Sequence, residues 1–144
     1  MLKENITAPD FSLPDENNTL HALSDYAGEW VLLYFYPKDD TPGCTKEACT
    51  FRDNLPNFEK LNVRVLGISA DSPQSHVAFK DKYDLNFTLL SDTKKEVIKM
   101  YDAGGAFTRR ISYLIDPKGI IKKAYSKVVP AEHPEQVLND IRAL

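Results

Sequence analysis

The sequence has little cysteine, no long apolar stretch and no block of like charge. Two cysteines among 144 residues are too few for the disulfide framework of a small secreted domain, and in a reducing compartment they point to catalysis, metal binding or simple burial. The longest apolar run, Trp30 to Tyr36, is seven residues, against the roughly 18 or more that a membrane-spanning helix needs. The opening residues Met1 to Asn5 mix charges of both signs and never develop the apolar segment of a secretory signal, which predicts a cytoplasmic protein. Net charge is -3, from 18 basic and 21 acidic residues, and the absence of a basic stripe argues against nucleic-acid and anionic-membrane partners. Repeats and low-complexity segments are missing, and the nine prolines are scattered. His21, His76 and His133 stand too far apart for the close ligand pairs that zinc takes. Neither Gly-x-Gly-x-x-Gly nor a phosphate-binding loop occurs, so neither metal nor cofactor is expected.

What remains is an ordinary globular composition, 42% hydrophobic and 27% charged, with the length of one domain, residues 1–144. Trp30 to Tyr36 and Val63 to Ser69 read as strands buried on both faces. Between them, from about Cys44 to Leu61, Ala48, Phe51, Leu55 and Phe58 recur at helical steps, with Pro56 expected to bend or end the helix. Ser72-Pro73 opens a second helix to about Asp84, and Phe87 to Leu90 is a short strand. Thr93 and Glu96 have capping-box spacing and predict a helix that stops near Gly104-Gly105. Ile111 to Asp116 and Ile120 to Ser126 form a hairpin around Asp116-Pro117-Lys118-Gly119, and a last helix begins at about Pro134. Phe11 to Leu13, Thr19-Leu20 and Leu23 to Tyr26 suggest a small hairpin and a helical turn. The order is α/β and suits a thioredoxin-like fold, a central mixed sheet flanked by helices.

The chemistry concentrates in Pro37-Lys38-Asp39-Asp40-Thr41-Pro42-Gly43-Cys44, which joins the first buried strand to its helix, where sites of open α/β sheets gather. Cys44 falls in the first helical turn, where unpaired N–H groups and the positive end of the helix dipole favour an anion and turn a thiol into a thiolate. A core cysteine needs no Thr-Pro-Gly before it. Cys49 follows with four intervening residues, where a dithiol oxidoreductase motif has two. A thioredoxin-fold disulfide oxidoreductase and a noncatalytic chaperone or binding module therefore stay open as alternatives.

Pro37-x-x-x-Thr41-x-x-Cys44 resembles the active-site signature of peroxiredoxins. The form Thr41-Pro42-Gly43-Cys44-Thr45-x-x-x-Cys49 is similar to the bacterioferritin comigratory or Q-type branch. The likeness runs from Ala8-Pro9-Asp10-Phe11 through Leu66 to Ser69 and on to Arg110 to Asp116. It implies that Cys44 is the peroxidatic cysteine and Cys49 the resolving one, with Thr41 and Arg110 as activating partners. Pro37 would shield the pocket, and Glu47 would help orient the arginine. Arg110 is chosen over Arg109 because it directly precedes Ile111-Ser112-Tyr113, although adjacent residues of a strand point to opposite faces.

Ionisation alone does not make a peroxidase. A thiol of ordinary pKa, about 8.5, is about 3% ionised at pH 7, and one at about 6 is about 90% ionised, roughly a thirtyfold gain. With a Brønsted slope of about 0.45 the weaker nucleophile loses about thirteenfold, leaving a factor of about two. The rest must come from donors that hold the departing oxygen: the Thr41 hydroxyl, the Arg110 guanidinium and the N–H groups near Gly43 and Cys44. The reading is a thiol peroxidase for hydrogen peroxide and organic hydroperoxides, passing through a sulfenic acid and an intrachain disulfide that thioredoxin or a similar dithiol reduces. Because resolution needs no second subunit, a monomer is expected.

Overall fold

The computed structural model describes residues 1–144. The chain opens with an antiparallel hairpin, β1 (Ser12–Pro14) and β2 (Leu20–Ala22), and one 3-10 turn over Leu23–Tyr26. Then follow β3 (Trp30–Phe35), α1 (Pro42–Lys60), β4 (Val63–Ser69), α2 (Pro73–Tyr83), β5 (Thr88–Ser91), α3 (Glu96–Met100), β6 (Ile111–Ile115), β7 (Ile121–Tyr125) and α4 (His133–Ala143). The main sheet has the order β5-β4-β3-β6-β7. The strands β3, β4 and β5 are parallel, and β6 and β7 complete the sheet antiparallel.

Period-two alternation along β3 sends its side chains into two separate cores. Leu32, Tyr34 and Tyr36 pack with Ala48, Phe51 and Phe58 of α1, Phe79 of α2 and Val137 and Leu138 of α4. Val31, Leu33 and Phe35 face the other way, onto Val97, Ile98 and Tyr101 and the segment around Phe11. Both faces are covered, which is why this strand reads as an uninterrupted apolar run.

Several local expectations hold. The Ser72 hydroxyl accepts the Ser75 N–H at 3.2 Å and caps α2. In the β6–β7 turn the Asp116 carboxylate accepts the N–H groups of Lys118 and Ile120, each at 2.9 Å, and Gly119 takes a positive φ of 81° that disfavours a side chain.

The periodicity that predicts a helix to about Leu61 holds: α1 continues to Lys60, and Pro56 does not end it early. The Arg52 carbonyl, whose helical donor is missing at a proline, instead accepts the Asn86 side-chain amide at 3.3 Å. Thr93, by contrast, does not cap α3. Lys95 occupies the cap position with φ 59°, and the buried Asp92 carboxylate accepts the Ile98 N–H at 2.7 Å. The same helix stops before Gly104. Asp102 adopts φ 55° while Ala103 and Asp102 donate N–H bonds to the Ile98 and Lys99 carbonyls, a Schellman closure with aspartate in the place usually held by glycine.

Candidate active site

The loop after β3 delivers Thr41 in extended conformation to the cap position of α1, and Pro42 supplies the first helical residue with its φ already set. The Thr41 hydroxyl donates to the Lys38 carbonyl at 2.8 Å rather than to a helix group. The first bond into the helix runs from the Thr45 N–H to the Thr41 carbonyl. The N–H groups of Gly43 and Cys44 are left without backbone partners, as the first turn of any helix leaves them. Cys44 is buried at 2% exposure in this turn, and Cys49 is half-buried farther along the same helix. Both thiols are free. Pro37, which closes β3, is exposed.

Sheet register brings in the arginine. Ile111 of β6 sits opposite Phe35 of β3, so the residue before Ile111 arrives at the carboxyl end of β3, over the start of α1. That residue is Arg110. Its Nη2 donates to Cys44 Sγ at 3.4 Å and its Nη1 to Glu47 Oε1 at 2.9 Å. Arg109 is directed elsewhere, to the Asp102 carbonyl at 3.3 Å. The side chains of Cys44, Glu47 and Arg110 are thus together, and Thr41 lies three residues before Cys44 with its hydroxyl proton engaged on Lys38.

Two features make the close approach possible. A Cβ on Gly43 would lie 2.8 Å from Arg110 Nη2, so the guanidinium occupies space that only glycine leaves open. Glu47 is fully buried, and its Oε2 has no hydrogen-bond partner. Burial pushes its carboxyl up to about 7, with the Arg110 charge and hydrogen bond offsetting part of the rise. Burial likewise opposes the Arg110 charge, but the neighbouring charges and hydrogen bonds of Cys44 and Glu47 outweigh it and raise the arginine's pKa.

Three nearby residues were not singled out from the sequence. Tyr34 lies under the site, stacked on Phe51 at 4.8 Å between ring centroids, with its hydroxyl unpartnered. Asp39 and His76 form a buried pair at 2.7 Å behind the loop. For Tyr34 the available signal was its alternation with Leu32 and Tyr36 on one strand face. For Asp39 and His76, 37 positions apart, spacing carried none.

A mixed sheet of this order, with a thiol at the helix start beside the carboxyl end of the central strand, defines the thioredoxin-like class. Residues 5–124 match the AhpC/TSA family. The chain is 45% identical over 140 residues to a Coxiella burnetii protein named for peroxiredoxin bcp, covering 91% of this chain and 93% of that one. It is 41% identical to the chloroplastic peroxiredoxin Q of Populus jackii, covering 94% of this chain and 66% of that longer protein. Among solved structures, a Cys-to-Ser variant of Xylella fastidiosa PrxQ superposes with a TM-score of 0.94 at 35% identity, covering 99% and 97% of the two chains. The Xanthomonas campestris bacterioferritin comigratory protein, described for its alkyl peroxide reduction activity, gives 0.88 at 34% identity, covering 92% and 90%. The chain belongs to the AhpC/TSA family, in its peroxiredoxin Q and bacterioferritin comigratory branch. It is a thiol peroxidase of the atypical two-cysteine class, using a peroxide and a thioredoxin-type reductant.

The geometry generates two expectations. Gly43→Ala should leave α1 as stable or up to about 1 kcal/mol more stable, since alanine is the better helix former. Peroxide reduction should nevertheless slow by about tenfold or more, because the added methyl displaces Arg110. Thermal unfolding beside stopped-flow kinetics checks both, and an unchanged rate would show that the guanidinium need not sit there.

Glu47 carries the second. Its folded-state pKa of about 7 lies above the ordinary 4.5, so below about pH 4.5 both states are protonated and nothing is lost. As pH rises from there through about 7, the unfolded chain ionises first and folding stability falls, by at most about 3 kcal/mol. Glu47→Gln should therefore gain stability relative to the parent between pH 4.5 and 8 in urea unfolding.

Proposed function

We propose that Cys44 is the attacking thiolate, Cys49 the resolving thiol, and Arg110, Thr41 and the Gly43 and Cys44 N–H groups the donors and acceptors around the peroxide. The observation that carries this reading is the Arg110 guanidinium, 3.4 Å from Cys44 Sγ at a helix start with unpaired N–H groups. The thiolate attacks the nearer oxygen of the hydroperoxide. The O–O bond breaks, an S–O bond forms, and the departing oxygen takes a proton to leave as water or alcohol while Cys44 becomes a sulfenic acid. The free N–H groups and the guanidinium face that developing charge. The Thr41 hydroxyl, expected from the sequence to donate to the departing oxygen, already donates to the Lys38 carbonyl, so its lone pairs accept the peroxide O–H instead. Glu47 acts through Arg110, holding one arm of the fork so that the other meets sulfur.

Condensation of the Cys44 sulfenic acid with the Cys49 thiol releases water and forms an intrachain disulfide. A dithiol protein such as thioredoxin returns both thiols and becomes oxidised itself. Hydrogen peroxide and small organic hydroperoxides are the substrates, in keeping with the alkyl peroxide activity described for the Xanthomonas protein. Residues 1–144 act as one catalytic domain, without a membrane partner, and the cycle runs in a monomer, in the cytoplasm. Pro37, exposed just past the end of β3, has the role of shielding the pocket from water.

The helix opposes the disulfide. Residues five apart on an ideal helix are separated by about 7.5 Å of rise and about 140° of rotation, or roughly 8.7 Å between Cα atoms, whereas a disulfide tolerates at most about 7 Å. Because α1 spans both cysteines, its first turns must unwind before the bond closes, giving up a few hydrogen bonds and the burial of Ala48 and Phe51.

Cys44→Ser is expected to abolish peroxide turnover, and Cys49→Ser to react once per molecule and stop at sulfenic acid or beyond. Stopped-flow Trp30 fluorescence with thiol counting reads both. Peroxide consumption by Cys44→Ser at the parent's rate would exclude the assignment and favour a module whose cysteines are incidental. Hydrogen exchange on the oxidised protein should show amide protection lost within the segment from Gly43 to Phe51, at the N–H groups from Thr45 onward that the helix bonds. Full protection there, in protein shown by mass to carry the bond, would rule out the unwinding.

A further inference from the structure

The loop between β3 and α1 is held from behind by groups that the peroxidase chemistry does not use. Asp39 is the centre. Its Oδ1 accepts the Tyr36 hydroxyl at 2.6 Å, and its Oδ2 accepts the Ser75 hydroxyl at 2.8 Å and meets His76 Nδ1 at 2.7 Å. Its backbone N–H donates to Asp71 Oδ2 at 2.8 Å, and the same oxygen accepts the Ser69 hydroxyl at 2.7 Å. The residue after β3, the end of β4 through Asp71 and the first turn of α2 therefore converge on one loop residue, five positions before Cys44, and β5 is reached through His76. Asp40, next in the loop, accepts Lys82 Nζ and the Tyr83 hydroxyl at the far end of α2. That second tie is exposed and weak.

The inner tie is a different kind of contact. The Asp39 and His76 side chains are 4% and 0% exposed, so a lone charge on either is costly. The outer ring nitrogen of His76, Nε2, faces the Leu90 carbonyl at 3.1 Å. A carbonyl only accepts, so Nε2 carries a proton. Between Nδ1 and Oδ2, 2.7 Å apart, a second proton is then required, on one atom or the other, since two bare lone pairs at that distance repel. The pair as a whole is neutral, with one bridging proton, and every polar atom of both side chains is satisfied.

We propose that the Asp39–His76 pair is a positioning element of the peroxidase cycle: it pins the loop that carries Thr41 to α2 and β5, so that this side of the pocket stays fixed while the first turns of α1 unwind and rewind. The proposal rests on the reading of Cys44 as the attacking thiolate and of α1 as the segment that opens. Neither Asp39 nor His76 touches the peroxide. Their effect is to keep the cap of α1 in register, so that the released turn refolds onto the same donors.

Hydrogen exchange on the parent protein, reduced and with its disulfide formed by diamide, provides the first test. Oxidation should leave the amides of Asp39 and His76 protected while those from Thr45 to Phe51 lose protection. Loss of protection at Asp39 on oxidation would overturn the proposal. Nitrogen-15 NMR of the histidine rings in reduced protein should show Nε2 of His76 protonated and a far-downfield, exchange-protected proton on the Nδ1 side; a ring lacking that bridging proton would equally overturn it. Neither measurement uses peroxide, so both stand apart from the Cys44→Ser result that decides the underlying reading. Two variants add a kinetic test. His76→Phe, which leaves the buried carboxylate with the Tyr36 and Ser75 hydroxyls but without the bridging proton and the tie to β5, should slow single-turnover reaction with hydrogen peroxide by about tenfold or more. His76→Gln, whose amide N–H can still donate to Asp39, should return the rate to within about threefold of the parent. Equal rates for the folded variants and the parent would show a merely structural contact, and if His76→Phe does not fold, the exchange pattern and the ring spectrum decide.

Discussion

In the proposed cycle a buried thiol has to ionise, and that constraint is the one on which the arrangement around Cys44 depends. An anion at 2% exposure is unfavourable unless charge and donors are already directed at it. Here they come from two unrelated parts of the chain. The backbone of α1 contributes N–H groups that no helix can pair internally. The sheet contributes a guanidinium, placed by the antiparallel register of β6 on β3. Arg110 in turn is steadied by Glu47, one turn along the same helix as the thiol, so a sulfur, a carboxyl group and a cation share one small buried volume. Gly43 belongs to this constraint too. Its missing side chain is the opening through which the guanidinium reaches sulfur, at a helical position where alanine would otherwise be preferred.

Much of this was legible because the signals are local. Strand β3 announced itself as an apolar run, α2 by Ser72-Pro73, and the last hairpin by Asp116 to Gly119. The spacing of Thr41, Cys44 and Cys49 suggested chemistry before any contact was known. Arg110 could be preferred over Arg109 only through its distance from Ile111-Ser112-Tyr113. The physical reason is the strand pairing that carries it to Cys44 and sends Arg109 to the Asp102 carbonyl.

What escaped was non-local or involved substitutes for the usual residues. Thr93 and Glu96 have the spacing of a capping box, but Asp92 satisfies the helix N–H from one residue earlier, and Asp102 ends α3 where Gly104 was the obvious choice. Pro56 looked like a helix breaker until the Asn86 amide, from beyond α2, filled the vacant acceptor. Asp39 and His76 read as one loop acid and one isolated histidine, since nothing in a linear spacing says that α2 docks its first turn behind the β3–α1 loop.

The placement of both cysteines on one unbroken helix has a consequence in time as well as in space. Once Cys44 has become a sulfenic acid, the proposed cycle leaves it waiting for α1 to open before Cys49 can arrive, and local openings of this kind fall between microseconds and seconds. During that interval a second hydroperoxide competes for the same sulfur and carries it to a sulfinic acid. The rigidity of the first turns of α1 therefore acts as a clock, and the hydroperoxide concentration at which encounters outpace helix opening is the ceiling above which the enzyme consumes itself.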